Sequence, residues 1–122
     1  MLIDTSAWVE ALRKDGNPAI QSQVKHVLLS GEGATCAMVM LELWNGAHGE
    51  YERSQLRRFG DAFIFLSIDE AVWKESWDFA QACRTNGLTI PSTDLLIIAV
   101  ALHHNAEIIH SDKHFDMYFA SL

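Results

Sequence analysis

The sequence predicts an α/β fold in which a short parallel sheet lies between two layers of helices, and two observations support this prediction. Short apolar segments alternate along the chain with longer segments of helical periodicity, an order typical of parallel sheets covered on both faces. The chain has 122 residues, of which 49% are hydrophobic, and this is enough for one domain with its own core. We therefore expect a single three-layer α/β/α domain over residues 1–122.

Four short apolar segments predict the strands. The third, Phe-Ile-Phe-Leu-Ser-Ile, is rich in β-forming residues and is bounded by Asp61 and Asp69. In chain order, the predicted strands are residues 1–4, 34–37, 63–68 and 106–111.

Seven segments with apolar residues at helical spacing predict the helices. Asp4 can cap the first helix, whose apolar face we expect to be Trp8, Val9 and Leu12, and Pro18 suits the first turn of the second helix. The sixth helix is almost entirely apolar and must be buried on several sides. In chain order, the predicted helices are residues 5–14, 18–29, 38–46, 50–59, 70–86, 91–102 and 114–120.

The composition excludes several classes of protein. A chain with four tryptophans and six phenylalanines is not disordered, because burial offsets the entropy lost on folding. The longest apolar run, 95–102, has eight residues, whereas a membrane span needs about 20. The start lacks the basic region of a signal peptide, so we expect a cytoplasmic protein in which Cys36 and Cys83 are reduced thiols in the core.

The chain is acidic, with 16 Asp and Glu against nine Lys and Arg and a net charge of −7. Negative charge spread over the surface would disfavour a nucleic-acid partner. Four of the acids, however, fall where an open parallel sheet places its site, beyond the carboxyl ends of the strands. They are Asp4 after the first strand, Glu42 on the helix after the second, Asp94 at the start of the apolar helix and Asp112 after the fourth strand.

Each of these acids also has a purely structural explanation. Asp4 and Asp112 suit the caps of the helices that follow them, Asp94 complements a helix dipole, and Glu42 alone is an ordinary helix-face acid. Their coincidence at one edge favours a site, because adjacent carboxylates repel one another unless a cation compensates them. Carboxylate ligands suit Mg²⁺ or Mn²⁺ better than Zn²⁺.

Four sequence blocks, spread over nearly the whole chain, are similar to one family. They are Leu-Ile-Asp-Thr-Ser-Ala-Trp-Val at 2–9, Glu-Leu-Trp-Asn-Gly-Ala at 42–47, Pro-Ser-Thr-Asp-Leu-Leu-Ile-Ile-Ala-Val-Ala-Leu at 91–102 and Ile-Ile-His-Ser-Asp-Lys-His-Phe-Asp at 108–116. With these blocks the sequence resembles the PIN-domain family and, within it, the VapC-type toxins of prokaryotic toxin–antitoxin pairs. Two departures are His110, where many members have threonine, and the end of the chain at Leu122, where many continue into a fifth short strand.

The resemblance implies a PIN-like fold with four to five parallel strands and the activity of a Mg²⁺- or Mn²⁺-dependent endoribonuclease. RNA phosphodiesters would be cleaved by metal-activated water to leave 5′-phosphate and 3′-hydroxyl ends. The implied partners are a second copy of the chain and a VapB-type antitoxin laid across the helices at 5–29 and 38–59. The implied catalytic and metal-binding acids are Asp4, Glu42, Asp94 and Asp112. The implied supporting residues are Thr5, Ser6 and Asp116, the last as a ligand through water.

Three arginines, Arg53, Arg57 and Arg58, cluster on the polar helix 50–59. They form either a solvated helix face paired with neighbouring glutamates or a set of contacts to RNA phosphates with salt-dependent affinity. The sequence favours neither explanation over the other.

The tryptophans and histidines allow further predictions. Trp73 and Trp77 lie one helical turn apart, so we expect them mainly in the core, with some area left for a dimer contact. Trp8 and Trp44 are predicted at the rim of the site, in contact with the antitoxin or a base.

His110, Asp112 and His114 would share one face of a continuous strand and could then bind Zn²⁺. We expect instead that the strand ends near Ser111 and that these side chains diverge, although an imidazole near the site could still contact substrate phosphate.

Two other functions are compatible with the sequence. The chain could be a PIN-like module that binds RNA or protein without catalysis, or a metal-dependent hydrolase of a small phosphoester. The presence of all four acids favours the nuclease, since a site that had lost its catalytic use would usually have lost one of them.

Overall fold

The computed structural model describes all 122 residues and contains four strands and seven helices in the predicted order, which confirms the α/β class. None of these helices combines the length and the apolar character that crossing a bilayer requires. In chain order the elements are β1 (Leu2–Ile3), α1 (Thr5–Leu12), α2 (Pro18–Ser30), β2 (Ala34–Thr35), α3 (Ala37–Gly46), α4 (Gly49–Gly60), β3 (Ile64–Phe65), α5 (Glu70–Thr85), α6 (Ser92–His103), β4 (Ile108–Ile109) and α7 (Lys113–Ala120).

The four strands form one parallel sheet in the order β3-β2-β1-β4. Leu2 of β1 is paired with Ala34 of β2 on one side and with Ile108 of β4 on the other. The strands are shorter than the predicted segments because the next helix begins almost at once after β1 and β2, where Asp4 and Cys36 are the N-caps of α1 and α3. The carboxyl ends of β2, β1 and β4 therefore lie side by side at one edge.

Helix α6 is the centre of the core. Every residue from Asp94 to Ala101 is buried, as the apolar character of this segment predicts. The helix packs along α5, and Leu2, Ile109 and Phe115 bring the sheet and α7 into the same cluster. A core of this kind holds the first turn of α6, and with it Asp94, in a fixed position at the edge of the sheet.

The predicted burial of Trp73 and Trp77 is wrong, because these side chains are 46% and 63% exposed. The buried stripe of α5 consists of Val72, Ser76 and Cys83. Each tryptophan follows one of these positions by a single residue and is therefore rotated by about 100° from the buried stripe. Both tryptophans belong to the surface rather than to the core.

The predicted positions of the other two tryptophans and of the apolar face of α1 also change. Trp8 is not at a rim but is buried, with its ring centroid 5.3 Å from that of Phe59, and Trp44 is half-buried on α3. Because Trp8 faces inward, Val9 and Leu12 on the adjoining face of α1 are 49% and 62% exposed. Helix α1 thus presents apolar side chains to solvent.

Candidate active site

The four predicted acids lie at the carboxyl edge of the sheet. Asp4 directly follows β1, Asp112 follows β4, and Glu42 lies on α3, the helix after β2. Asp94 is in the first turn of α6. The charges of the other three acids all act on Asp94, so the fold concentrates four carboxyl groups in one patch.

Ser6 fixes the carboxylate of Asp4. The Asp4 residue is 3% exposed, and its Oδ2 accepts hydrogen bonds from the Ser6 amide at 3.0 Å and the Ser6 hydroxyl at 2.6 Å. The same hydroxyl oxygen accepts a hydrogen bond from the backbone amide of Ser111 at 2.9 Å. Ser6 therefore joins the end of β1 to the segment that carries Asp112, and Asp4 both caps α1 and belongs to the acidic patch.

Thr5 holds Glu42 in a similar way, since its hydroxyl donates a hydrogen bond to Glu42 Oε1 at 3.1 Å. Burial, together with the negative charges of Asp4 and Asp112, raises the pKa of Glu42, although the hydrogen bond from Thr5 acts in the opposite direction. Burial is the larger cause of this shift, and the charges of Asp4 and Asp112 add to it.

Asp94 is buried like Asp4 but lacks the hydrogen bonds that hold the Asp4 carboxylate. It is 7% exposed, and its Oδ2 is buried without a hydrogen-bond partner in the protein. Burial, a shared proton with Asp112 and the charges of the other acids raise the pKa of Asp94 to about 7. An ionised carboxylate in these surroundings is costly unless a cation compensates it, so a cation would be most strongly favoured beside Asp94.

Asp112 differs from Asp94 because hydrogen-bond donors surround it. Its Oδ1 accepts a hydrogen bond from the His114 amide at 2.8 Å and lies 2.8 Å from His114 Nδ1. Burial by itself would raise the pKa of Asp112, but the hydrogen bonds from His114 and Asp94 outweigh burial, and the pKa of Asp112 is lowered. The two members of the pair therefore differ in their surroundings: burial and negative charge disfavour ionisation of Asp94, whereas hydrogen-bond donors favour ionisation of Asp112.

The position of His114 differs from the one expected from the sequence. Its Nδ1 lies 3.6 Å from Asp94 Oδ2 as well as 2.8 Å from Asp112 Oδ1. The signal in the sequence was an aspartate at the N-cap of a helix with a histidine two residues later, because a capping carboxylate lies over the first turn of the helix. β4 ends at Ile109, so the three residues do not share a strand face, as expected. The expected divergence of Asp112 and His114 is wrong, because the first turn of α7 brings these two side chains into contact.

Asp116 is exposed on α7 and lines a depression together with Asp112. Its side chain is 79% exposed on α7, and its Oδ1 is 3.7 Å from His110 Nε2. The ring of His110 packs on Phe115 with the centroids 4.9 Å apart. His110 and His114 therefore diverge, as the sequence predicts.

The arginines of α4 lie away from the acids. Arg53 and Arg57 both pair with Glu50, and Arg58 is exposed without an ion pair. A different face of α4, which includes Gln55, lines the groove beside the acidic patch. The pairing of Arg53 and Arg57 with Glu50 agrees with a solvated helix face, while Arg58 has no such pair.

This groove, of about 700 Å³, runs between α1, α3 and α4. Thr5 and Glu42 line it beside the acidic patch, and its remaining lining includes the exposed side chains of Val9, Leu12 and Tyr51. An apolar surface thus leads directly to the acids.

The acidic patch fits a divalent cation on its own chemistry. One ligand atom from each of Asp94, Asp112 and His114 lies within 4.8 Å of the others, and the buried Oδ2 of Asp94 has no hydrogen-bond partner. Carboxylate oxygens of Asp4 and Glu42 lie in the same patch. A set dominated by carboxylates suits Mg²⁺ or Mn²⁺ better than metals that prefer thiolates.

The sequence is similar to proteins of known family. Residues 1–118 match the PIN domain family. The chain is 37% identical over 122 residues to VapC ribonuclease Mb1587 of Mycobacterium bovis and to Ribonuclease VapC11 of Mycobacterium tuberculosis. Each alignment covers 96% of this chain and 90% of the relative.

The fold is similar to solved structures as well. FitAcB from Neisseria gonorrhoeae superposes with a TM-score of 0.74 at 20% identity, covering 96% of this chain and 91% of that one. VapBC-1 from nontypeable Haemophilus influenzae also gives a TM-score of 0.74 at 20% identity, covering 99% and 92%. With the family match over residues 1–118 and the 37% identity to two mycobacterial VapC proteins, this chain belongs to the PIN-domain family and to its VapC group.

Proposed function

We propose that this chain is a divalent-metal-dependent endoribonuclease that acts in the cytoplasm as the toxin of a VapBC-type toxin–antitoxin pair. The observation that carries the proposal is the buried carboxyl group of Asp94, which is surrounded by three further acids and has one oxygen without a hydrogen-bond partner. The 37% identity to proteins named VapC ribonucleases supports RNA as the substrate.

In this proposal the protein's own side chains build and orient the site. Asp4, Glu42, Asp94 and Asp112 would hold Mg²⁺ or Mn²⁺. Ser6 and Thr5 would keep the carboxylates of Asp4 and Glu42 in fixed orientations through the hydrogen bonds described above. Asp116 and the three arginines of α4 lie outside this set.

A bound divalent ion would supply positive charge for the phosphoryl oxygens and would lower the pKa of water at the site. Without such an ion, the four carboxylates would repel an RNA phosphate, because like charges at one place repel one another. These four acids account for four of the seven excess negative charges of the chain. Water rather than a ribose 2′-hydroxyl is then the nucleophile, so the products would carry 5′-phosphate and 3′-hydroxyl ends.

We infer that the groove between α1, α3 and α4 receives the antitoxin. Exposed Val9 and Leu12 offer an apolar surface to an amphipathic segment. The groove reaches Glu42, so a segment seated in it would cover the approach to the acids. The likeness to the solved VapBC-1 structure supports a partner of this type.

The second inferred partner is another copy of the chain. Trp73 and Trp77 are exposed on α5 and, with Leu95 and Leu96 of α6, line a depression of about 360 Å³. Large exposed aromatic side chains of this kind are typical of interfaces. Substitution of Trp77 by arginine should therefore convert a dimer into a monomer in light scattering, and a wild-type chain that is monomeric at all concentrations would contradict the inferred dimer.

The nuclease is tested by incubating the purified full-length chain with structured RNA in Mg²⁺, in Mn²⁺ and in EDTA. We expect cleavage with either ion, loss of cleavage in EDTA, and fragments that a 5′-phosphate-dependent exonuclease degrades. Products with 2′,3′-cyclic phosphates, or cleavage that resists EDTA, would contradict the mechanism. RNA binding without cleavage in any metal would identify a binding module, and turnover of small phosphoesters alone would identify the hydrolase.

A further inference from the structure

His114 occupies a position at the acidic patch that the four carboxylates alone do not explain. Its side chain is 27% exposed and follows the N-cap Asp112 in the first turn of α7. The ring nitrogen Nδ1, and not Nε2, is the one that faces Asp112 Oδ1 at 2.8 Å and Asp94 Oδ2 at 3.6 Å. The imidazole therefore lies against both members of the carboxyl pair.

A second observation indicates a ligand at this position. Asp94 is 7% exposed and its Oδ2 has no hydrogen-bond partner. This oxygen is also the atom of Asp94 that lies nearest to His114 Nδ1. A buried carboxylate oxygen without a donor is unfavourable, and an ion bound between the carboxylates and the imidazole would satisfy it.

The separations of His114 Nδ1 from the two carboxylate oxygens agree with neighbouring positions around one ion. In an octahedral site with ligands at about 2.1 Å, adjacent ligand atoms are about 3 Å apart. The distances from His114 Nδ1 to the two carboxylate oxygens, 2.8 and 3.6 Å, lie on either side of that value. Small side-chain adjustments would therefore place all three atoms on one cation.

We propose that His114 Nδ1 is a direct ligand of the divalent ion, together with Asp94 and Asp112, and that this nitrogen makes the site prefer Mn²⁺ to Mg²⁺. The proposal rests on the proposed metal-dependent function and specifies which ion serves it. Mg²⁺ binds almost only through oxygen, whereas first-row transition ions accept imidazole. One nitrogen ligand among several carboxylates therefore favours binding of Mn²⁺, while Mg²⁺ can still bind through the carboxylate oxygens.

His110 provides a matched control on the same segment. Its ring packs on Phe115, and its Nε2 faces the exposed Asp116 rather than the buried acids. Its other ring nitrogen, Nδ1, lies 3.3 Å from the backbone amide of Asp112. Loss of this imidazole removes a histidine of similar burial from the neighbourhood of the acidic patch without removing the proposed ligand.

The test measures binding of the metal alone to the full-length chain, so it requires no RNA. Mn²⁺ affinity is obtained from the electron paramagnetic resonance signal of free Mn²⁺, and Mg²⁺ affinity from competition. Pulsed electron paramagnetic resonance of the Mn²⁺-loaded wild type should show coupling to a directly bound nitrogen, and this coupling should disappear in His114→Ala and His114→Gln but persist in His110→Ala. The Mn²⁺ affinity should fall by at least about tenfold in both His114 variants, and the Mg²⁺ affinity should fall by a smaller factor.

The outcomes separate this inference from the proposed function on which it rests. Wild-type Mn²⁺ binding without nitrogen coupling, or equal losses of Mg²⁺ and Mn²⁺ affinity in the His114 variants, would show that the imidazole only positions Asp112 and would overturn the inference. Absence of any metal binding to the wild type, or binding that Asp94→Asn leaves unchanged, would overturn the metal site itself. The pulsed electron paramagnetic resonance measurement on the wild type tests for a bound nitrogen by itself, so its result does not depend on whether a variant folds.

Discussion

Two regions of this chain concentrate charge, and they do so in opposite ways. On α4, Glu50 pairs with Arg53 and Arg57 in full contact with solvent. At the carboxyl edge of the sheet, four acids meet with no lysine or arginine among their partners, and Asp94 is buried. Exposed pairs are close to neutral in energy, whereas buried uncompensated carboxylates are costly. The difference indicates that a bound cation would stabilise the second region, whereas the first region balances its own charge.

The largest expected effect concerns cleavage by a variant of the acidic patch. Asp4→Asn removes a ligand charge while the asparagine side chain still caps α1, so the fold should persist. We expect RNA cleavage in Mn²⁺ to fall by more than about 100-fold, because even residues that only support metal ligands contribute factors of about 10 to 100. The measurement is initial cleavage rate, with circular dichroism to verify folding.

Glu50→Gln is the matched control for this comparison, because it removes a carboxylate from the paired region. Its cleavage rate should equal that of the wild type. If the two variants cleaved alike, the contrast between the two regions would have no functional meaning.

The second prediction concerns the stability of the metal-free protein as a function of pH. The pKa of Asp94 is about 7 in the folded chain and 3.8 in the reference state. Between these values the folded state binds more protons than the unfolded state, so stability falls as pH rises from about 4 to 7. Glu42, whose pKa is also raised, acts in the same direction, whereas the lowered pKa of Asp112 acts only below about pH 4.

Thermal unfolding in EDTA at pH 5 and pH 8 measures this dependence. Between these two pH values the loss attributable to Asp94 is at most about 3 kcal/mol, since the folded-state pKa lies two units above pH 5 and one pKa unit corresponds to about 1.4 kcal/mol. Asp94→Asn should flatten the dependence, and Mn²⁺ should stabilise the wild type at pH 8 more than it stabilises the variant. A metal-free wild type that is more stable at pH 8 than at pH 5 would reverse the predicted sign.

The sequence was sufficient to predict the order of elements and the edge at which the acids meet. Strand and helix patterns depend on local periodicity, and the carboxyl ends of parallel strands share one edge whatever the details of packing. The position of His114 could not be predicted in this way, because it depends on the rotamer of a side chain over a helix cap. The exposure of Trp73 and Trp77 was also mispredicted. A shift of one residue along α5 turns a side chain by about 100° and so decides whether it reaches the core.

A smaller effect is expected where a side chain acts through another one. Ser6→Ala removes the hydroxyl that donates to Asp4 Oδ2 and accepts from the Ser111 amide. Asp4 keeps the backbone amide of residue 6 as a donor, so Mn²⁺ affinity should fall by about tenfold rather than disappear. Titration of Mn²⁺ into the variant measures this loss.

Ser30→Ala is the control for this prediction, because the Ser30 hydroxyl donates only to the carbonyl of Val27 within α2. Equal Mn²⁺ affinities in the two variants would contradict a supporting role for Ser6.

The smallest effect on RNA affinity is expected for substitutions on α4. The size of this effect distinguishes a solvated helix face from a set of RNA contacts. The double variant Arg53→Ala, Arg57→Ala breaks both pairs with Glu50, and solvent-exposed pairs contribute at most about 1 kcal/mol to stability. Because the face of α4 that lines the groove is a different one, RNA affinity and its dependence on salt concentration should match those of the wild type. The measurement is fluorescence anisotropy of labelled RNA with Asp94→Asn as a non-cleaving background, across a range of salt concentrations. A reduced salt dependence in the double variant would mean that these arginines contact phosphates, and the charge of α4 would then belong to substrate binding rather than to solvation.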